Sequence, residues 1–274
     1  MIGTIAGDII GSRFEFSNRR LKENDFELFG ITSKPTDDTI MSLATALALM
    51  DVYKKEAIPF EVKCNILPHY FKKYYKKLGK RYPLAGYGRN FQSWLLFGHK
   101  PYNSWGNGSA MRCSPCGEIA SSLDEAEKLA ELSASVTHNH PEGIKGAKCV
   151  AGAVFLARSG KSKEEIHEYV KKYYEDTEPL EWLRDHYHFE VSCQGSVPQA
   201  FTCLWEAENY EDCMRKIITI CGDTDTQCAI TGTVAEYLFG IPEEIKIKAS
   251  AKLDGCQLKI IKKWEEFLSK NSFS

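Results

Sequence analysis

The chain contains the stretch Cys221-Gly222-Asp223-Thr224-Asp225-Thr226-Gln227, in which two aspartates at alternate positions are each followed by a threonine. The apolar residues that come next, within 229–239, recur at helical spacing, and Gly240 ends the run. The pattern predicts a helix whose first turn presents Asp223, Asp225 and Thr226 at one point. Asp and Thr are also favoured N-caps, but one cap needs only one such residue.

A second cluster of the same type, Thr36-Asp37-Asp38-Thr39, precedes another apolar helical run, Ile40–Val52. Neighbouring aspartates repel each other, and a bound cation offsets that repulsion. Two groups of oxygen ligands at helix starts favour a hard divalent ion, Mg²⁺ or Mn²⁺. From the residue types alone, a metal site and simple helix capping remain equal alternatives.

The composition of the chain narrows the class of protein. Its 274 residues allow one large domain or two ordinary ones, and 43% apolar with 26% charged residues is typical of soluble globular proteins. A net charge of −2 predicts no general attraction to nucleic acid or to anionic membranes. Because Asp8 interrupts the apolar N-terminal segment, neither a signal peptide nor a membrane span is predicted, and we expect a cytoplasmic protein. The ten cysteines are expected to be reduced core residues, with Cys113-Ser-Pro-Cys116 only a weak indication of a zinc or redox site.

Helix signals recur along the chain, whereas strand signals are almost absent. Small residues at helical spacing predict a buried N-terminal helix that another helix approaches closely: Gly3, Gly7 and Gly11. Capping boxes at Ser122 and Ser162 begin two further helices. Residues 187–192 are the only candidate strand. The sequence therefore predicts an all-α protein with a single multi-helix domain over residues 1–274.

The middle of the chain is rich in glycine and aromatic residues. Residues 83–105 have the composition of an ordered loop region around an active site rather than that of a linker. The turn that follows, Gly106–Arg112, exposes backbone N–H groups and lets a phosphate or diphosphate come close, although many glycine turns bind nothing. The loop Thr137–Glu142 carries two histidines, whose nitrogen atoms suit a different metal from the oxygen-rich clusters.

Several short motifs follow one another in order within residues 1–245: Gly7-Asp8-Ile-Ile-Gly11-Ser-Arg-Phe-Glu15, Thr36-Asp37-Asp38-Thr39, Gly106-Asn107-Gly108-Ser109-Ala110-Met111-Arg112, Thr137-His138-Asn139-His140-Pro141-Glu142 and Gly222-Asp223-Thr224-Asp225-Thr226. Together they resemble the ADP-ribosylglycohydrolases, the family of dinitrogenase reductase-activating glycohydrolase and the ADP-ribosylarginine hydrolases. The resemblance implies an orthogonally packed all-α fold with a dinuclear metal centre, usually of two Mg²⁺ ions and sometimes of Mn²⁺.

The resemblance also implies which residues would hold the metal ions. One ion would be bound by Thr36, Asp37 and Asp38. The other would be bound by Asp223 and Thr226, and Asp225 would reach both.

Further roles follow from the same resemblance. Taken alone, Glu15 is a surface glutamate, but it matches the glutamate that the family places beside the second ion. The expected catalytic carboxylates are Glu15, Asp37 and Asp38. The residues expected along the diphosphate and ribose of ADP-ribose are Asn107, Gly108, Ser109, Met111 and His138.

The activity implied by the resemblance is hydrolysis of the glycosidic bond between ADP-ribose and an acceptor, with ADP-ribose as the product ligand. We expect an ADP-ribosylated protein or small molecule as substrate, no membrane partner, and nucleic acid only as an ADP-ribosylated substrate. The family usually has two glycines before its second aspartate cluster, where this chain has Cys221-Gly222. The alternatives are a non-catalytic ADP-ribose-binding member of the crystallin type and a two-metal phosphoesterase.

Overall fold

Fourteen α-helices make up nearly all the regular structure of the described residues, which are 1–17, 21–23, 26–54 and 58–270 of a computed structural model. The helices are α1 (Ile2–Gly11), α2 (Asp37–Tyr53), α3 (Phe60–Arg81), α4 (Arg89–Leu96), α5 (Ser114–Ile119), α6 (Leu123–Ser135), α7 (Pro141–Arg158), α8 (Lys163–Val170), α9 (Leu180–His186), α10 (Cys193–Trp205), α11 (Tyr210–Ile220), α12 (Thr224–Phe239), α13 (Glu243–Ser250) and α14 (Gly255–Lys270). The prediction of an all-α fold is confirmed.

The strand considered for residues 187–192 does not form. In the described part of the chain, the pairing there is reduced to one isolated antiparallel bridge between Gly106 and Ser192. Ser192 is instead the N-cap of α10, where its side chain accepts a hydrogen bond from the Gly195 N–H. The bridge holds the glycine turn that begins at Gly106 against the start of α10.

The closest helix contact joins α1 and α12 through small residues. A Cβ atom added to Gly3, Gly7 or Gly11 would lie only 2.2–2.4 Å from the carbonyl oxygens of Gly232, Cys228 and Thr224, respectively. From one contact to the next the residue number rises along α1 and falls along α12, so the two helices are antiparallel. The buried N-terminal helix predicted from the glycine spacing is therefore confirmed, and the end of α1 lies beside the start of α12.

The region 83–105 contains more regular structure than its composition predicts. Helix α4 forms within it because Phe91, Trp94 and Leu95, at helical spacing, are buried on one side of that helix. This apolar pattern is short and has glycines on both sides, so the sequence alone does not predict the helix.

One continuous cluster of buried apolar side chains runs from α1 to α14. The described residues include all ten cysteines and contain no disulfide, and most of the cysteines are buried, as expected for core residues. Cys113 and Cys116 are both fully buried, and the Cys113 thiol donates to the carbonyls of Ala110 and Ala147. None of the described helices is long and apolar enough to cross a membrane.

We predict that Gly7→Ala destabilises the protein by about 1–3 kcal/mol or more, because overpacking a tight contact forces the helices apart. The added methyl group would lie 2.4 Å from the Cys228 carbonyl oxygen. The free energy of unfolding, measured by denaturant titration, tests this. Gly255→Ala is the matched control, since a Cβ there meets no atom within 4 Å. Equal stabilities of the two variants would contradict the close contact.

Candidate metal and substrate site

The predicted site residues come from distant parts of the sequence and meet around one cavity of about 530 Å³. The segment after α1, the start of α2, the glycine turn and the start of α12 all contribute to it. The predicted residues that line the cavity are Glu15, Asp37, Asp38, Asn107, Gly108, Met111, His138, Asp223, Asp225 and Thr226. Thr36 and Ser109 do not line it: both are buried beside it.

The carboxylates form two adjacent groups. Asp8, Asp38 and Asp225 each place an oxygen atom within 4.8 Å of the others, and so do Glu15, Asp223 and Asp225. Asp225 belongs to both groups, which is the geometry that a bridging ligand requires. Asp37 lines the cavity outside these two groups. The assignment of metal ligands stays a prediction.

Burial and mutual repulsion raise the pKa of the carboxylic acids in this cluster. The pKa of Asp38 and that of Asp225 lie well above the ordinary value because of burial and then of neighbouring aspartates. Burial, followed by the charge of Asp223, raises the pKa of Glu15 to about 7. Burial raises the pKa of Asp8 to about 6, although four hydrogen bonds to its carboxylate lower the pKa in part. Among the described residues no lysine or arginine forms an ion pair with these carboxylates, and the charge of Lys34 lowers the pKa of Glu15 without offsetting its burial.

The donor atoms suit a hard divalent cation such as Mg²⁺ or Mn²⁺. Asp38 Oδ2 accepts from the Thr226 hydroxyl at 3.4 Å and lies 3.1 Å from the hydroxyl oxygen of Thr36, whose hydrogen is donated to Asp8. Asp38 Oδ1 is buried and has no hydrogen-bond partner in the described structure. A buried carboxylate oxygen without a partner is costly unless a cation binds it. The ligand set is made of oxygen atoms alone, which is the preference of Mg²⁺.

Asp8 is a site residue whose role the sequence alone did not show. It lies in α1, and its Oδ2 accepts from the backbone N–H groups of Thr36 at 2.9 Å and Thr39 at 3.0 Å. Its Oδ1 accepts from the Thr36 hydroxyl at 2.6 Å, and the Thr39 hydroxyl also donates to Oδ2. Both oxygens are therefore used in anchoring the start of α2. The signal in the sequence is an acidic residue inside a buried apolar run, where it needs partners.

The glycine turn is tied to the carboxylates on one side and to α7 on the other. The Asn107 side-chain amide donates to Asp223 Oδ2 at 2.6 Å and to the Ser196 hydroxyl at 3.1 Å. The Ser109 hydroxyl donates to the carbonyl of Gly143 at 2.7 Å, away from the cavity. Gly108 faces the cavity at His138, since a Cβ atom there would lie 3.1 Å from His138 Nε2. The Ser109 side chain thus anchors the turn, while the absence of a side chain at Gly108 makes room for the His138 ring at the cavity wall.

Cys221 adopts a backbone conformation that glycine normally takes. Its φ is 66° and its ψ is −159°, a region that costs free energy for a residue with a Cβ. Gly222 follows with φ 89°. The two residues make the tight turn from α11 into the aspartates at the start of α12.

Comparisons with known proteins show which family the chain belongs to. Residues 1–262 match the family model of the ADP-ribosylglycohydrolases. The chain belongs to the ADP-ribosylglycohydrolase family. The family resemblance inferred from the short motifs is confirmed, and the all-α fold is the one that the family has.

Several relatives show how far the similarity extends. ADP-ribosylarginine hydrolase Tri1 of Pseudomonas putida is 25% identical over 266 residues, which are 88% of this chain and 70% of that protein. Human ADP-ribosylhydrolase ARH3 is 36% identical over 141 residues, 47% of this chain but only 37% of that protein. A solved structure titled ADP-ribosylglycohydrolase-related protein complex superimposes with a TM-score of 0.64 at 20% identity, over 98% of this chain and 92% of that one. That structure supports the fold alone.

We predict that Cys221→Gly raises the free energy of unfolding by about 1 kcal/mol, because relief of backbone strain exceeds the entropic cost of a new glycine. Cys64→Gly is the matched control. Cys64 lies inside α3 with ordinary helical backbone, where glycine is destabilising by about 1 kcal/mol. Denaturant titrations of both variants measure the effect, and a destabilised Cys221→Gly would contradict the strained geometry.

We also predict that Mg²⁺ stabilises the protein more at pH 8 than at pH 5.5. The folded pKa values of Asp8 and Glu15, about 6 and about 7, exceed the ordinary carboxyl values of 3.8 and 4.5. In metal-free protein the folded state is therefore stabilised when these two carboxyl groups are protonated. That stabilisation is fully present below about pH 4 and is lost as the pH rises through about 7. Ionised carboxylates bind metal, so Mg²⁺ restores stability where the repulsion is largest, by about 2.7 kcal/mol at 100 times its Kd.

Melting temperatures with EDTA or with Mg²⁺ at both pH values test this prediction. We expect a falling melting temperature from pH 5.5 to pH 8 in EDTA and a larger Mg²⁺ effect at pH 8. An Mg²⁺ effect that is absent, or equal at both pH values, would contradict the assignment of these carboxylates to a cation.

Proposed function

We propose that this protein is a hydrolase that depends on divalent metal ions and cleaves the glycosidic bond between ADP-ribose and an acceptor. The observation that carries the proposal is the pair of carboxylate groups sharing Asp225 in the same cavity as the glycine turn. Membership of the ADP-ribosylglycohydrolase family supports hydrolysis of an ADP-ribose linkage.

The residues that would hold two Mg²⁺ or Mn²⁺ ions are Thr36, Asp37, Asp38, Asp223, Asp225 and Thr226. When bound, the ions would bind ribose hydroxyl groups of the substrate and lower the pKa of a water molecule. The charge of the surrounding carboxylates stabilises the positive charge that develops on the ribose ring as a glycosidic bond breaks. Asp8 keeps Thr36 in place through its bonds to the backbone and the hydroxyl of that residue.

Glu15 is placed to orient the attacking water. It is half-buried at the edge of the carboxylate cluster and lines the cavity with Asp223 and Asp225. Its pKa of about 7 in the metal-free protein lets its carboxyl group accept or hold a proton near neutral pH. The main cavity also holds the glycine turn, where the diphosphate would lie against Gly108 and His138.

The acceptor would extend toward a second cavity, of about 610 Å³, which shares Glu15, Phe16 and Phe189 with the first. Phe16 and Phe189 stack at 5.8 Å between ring centroids, and Phe16 is 80% exposed. The described lining of this cavity contains Glu15 but no lysine or arginine. That charge favours a neutral or cationic acceptor, such as the arginine acted on by relatives of the Tri1 type, over a nucleic acid.

A panel of ADP-ribosylated acceptors, incubated with the protein and Mg²⁺ or Mn²⁺, tests the proposal, with free ADP-ribose as the readout. Release of phosphate instead would favour a two-metal phosphoesterase. Binding of ADP-ribose without hydrolysis of any acceptor in either metal would favour the non-catalytic alternative.

We predict that Asp225→Asn lowers the hydrolysis rate at least about 100-fold and weakens metal binding, because one charge is lost from both ligand groups. Glu15→Gln should lower the rate comparably but weaken metal binding less, since Glu15 belongs to only one group. Asp185→Asn is the matched control, because Asp185 is exposed and lies outside both cavities. Rates and metal titrations by calorimetry measure the effects, with circular dichroism as a check of folding. An Asp225→Asn variant with the full rate would show that the ligand assignment is wrong.

A further inference from the structure

A chain of hydrogen bonds leads from the protein interior to the substrate cavity. The Arg112 guanidinium is fully buried and donates through Nη2 to the Thr137 hydroxyl at 2.8 Å. The Thr137 hydroxyl oxygen lies 2.7 Å from His138 Nδ1. His138 is 5% exposed, and its ring lines the cavity.

The direction of each bond follows from the donors and acceptors. A guanidinium group only donates, so the Thr137 oxygen accepts from Arg112. Thr137 is fully buried, and among the described residues its hydroxyl hydrogen has one acceptor within reach, His138 Nδ1. A buried hydroxyl hydrogen without a partner is unfavourable. Thr137 therefore donates to Nδ1, and the ring hydrogen of His138 lies on Nε2.

The charge of Arg112 keeps the ring neutral. In the described structure Arg112 forms no ion pair with a carboxylate, and its guanidinium packs over the Tyr75 ring at 4.5 Å. Burial, followed by the positive charge of Arg112, holds the pKa of His138 well below its ordinary value. A neutral imidazole carries one hydrogen, on either Nδ1 or Nε2. Because Nδ1 accepts a hydrogen bond, the ring hydrogen lies on Nε2.

His138 Nε2 lies close to the glycine turn, at the wall of the cavity. A Cβ atom added to Gly108 would lie 3.1 Å from Nε2, and one added to Gly106 would lie 3.6 Å from it. Nε2 has no hydrogen-bond partner among the residues that the structure describes. An N–H at this position donates into the cavity, whereas a lone pair there would repel an anionic oxygen.

We propose that Arg112 and Thr137 are positioning residues that hold His138 in its Nε2–H form, so that His138 donates a hydrogen bond to an anionic diphosphate oxygen of the substrate. The identity of the ligand rests on the proposed function, but the state of the ring does not. In this proposal His138 donates to the ligand and Thr137 acts through His138. Arg112 also lines the cavity, and it acts on the ring through Thr137.

The first experiment needs no ligand, because it determines the state of the ring in the wild-type protein. Long-range ¹H–¹⁵N correlation spectra of ¹⁵N-histidine-labelled, ligand-free protein distinguish a protonated from an unprotonated ring nitrogen, and a His138→Gln variant identifies the signals. We expect His138 to be neutral from pH 6 to pH 8 with its hydrogen on Nε2. A hydrogen on Nδ1, or a mixture of the two forms, would overturn the proposal.

The second experiment compares Thr137→Val, which removes the hydroxyl at nearly constant shape, with Thr137→Ser, which keeps it. We expect Thr137→Val to shift the ring toward the Nδ1–H form and to weaken ADP-ribose binding about tenfold by calorimetry, since one donor to a charged oxygen is lost. Thr137→Ser should retain the wild-type spectrum and affinity. Thr4→Val is the matched control, because it removes a buried hydroxyl that bonds to Ala229 and Thr233 away from the cavity.

The two experiments separate this inference from the proposed function. A Thr137→Val spectrum identical to that of the wild type would overturn the positioning role, whatever the ADP-ribose affinity. A Thr137→Val variant with the altered ring but unchanged ADP-ribose affinity would overturn the contact with the diphosphate. Wild-type protein with the Nε2–H ring that binds no ADP-ribose would support the role of Thr137 and overturn the proposed ligand.

Discussion

The close contact between α1 and α12 brings together carboxylates from opposite ends of the sequence. Three glycines spaced by four residues let the backbone of α1 lie against carbonyl groups of α12 with no side chain between them. The last of these contacts joins Gly11 to Thr224, whose hydroxyl donates to the Gly11 carbonyl at 2.9 Å. Asp8 and Glu15 therefore lie beside Asp223 and Asp225, although more than 200 residues separate them in the sequence.

The fold gathers these acids at helix starts, where the electrostatics are least unfavourable. Asp37 and Asp38 lie in the first turn of α2, and Asp225 lies in the first turn of α12, where the N-terminal ends of the helices favour negative charge. Asp8 adds hydrogen bonds to the N–H groups of the α2 start. These contributions do not offset burial and, for all but Asp223, the repulsion of neighbouring acids, since the pKa of each buried aspartate in the cluster remains raised. A cation is the component that would balance the site.

The part of the cavity lining formed by the glycine turn and His138 contains no carboxylate. The glycine turn contributes a surface free of side chains at Gly108, and His138 stands behind it as a neutral ring. Arg112 places a positive charge behind that ring with no acid beside it. One cavity thus combines a strongly acidic wall with a wall suited to anions, which matches a ligand that has both a diol and a diphosphate.

The sequence by itself determined the helical class, the main helices and the family, because these depend on local periodicity, capping residues and short motifs. It also placed Asp223, Asp225 and Thr226 at the start of a helix, since the capping pattern and the apolar run are local. Two expectations differed from the structure for local reasons. The hydrogen bonds of residues 187–192 go to caps and turns rather than to a partner strand, and α4 is too short for its buried face to stand out between glycines.

Only the tertiary structure decided which side chains face the cavity and which support it. Asp8 is a supporting residue because its oxygens meet Thr36 and Thr39, and no local pattern carries that information. Ser109 belongs to a predicted ligand-binding motif, but its hydroxyl bonds to Gly143 of α7. The link from Arg112 through Thr137 to His138 likewise joins residues 25 positions apart in the sequence. Contacts of this kind depend on how helices pack, and packing is settled by the whole core rather than by neighbouring residues.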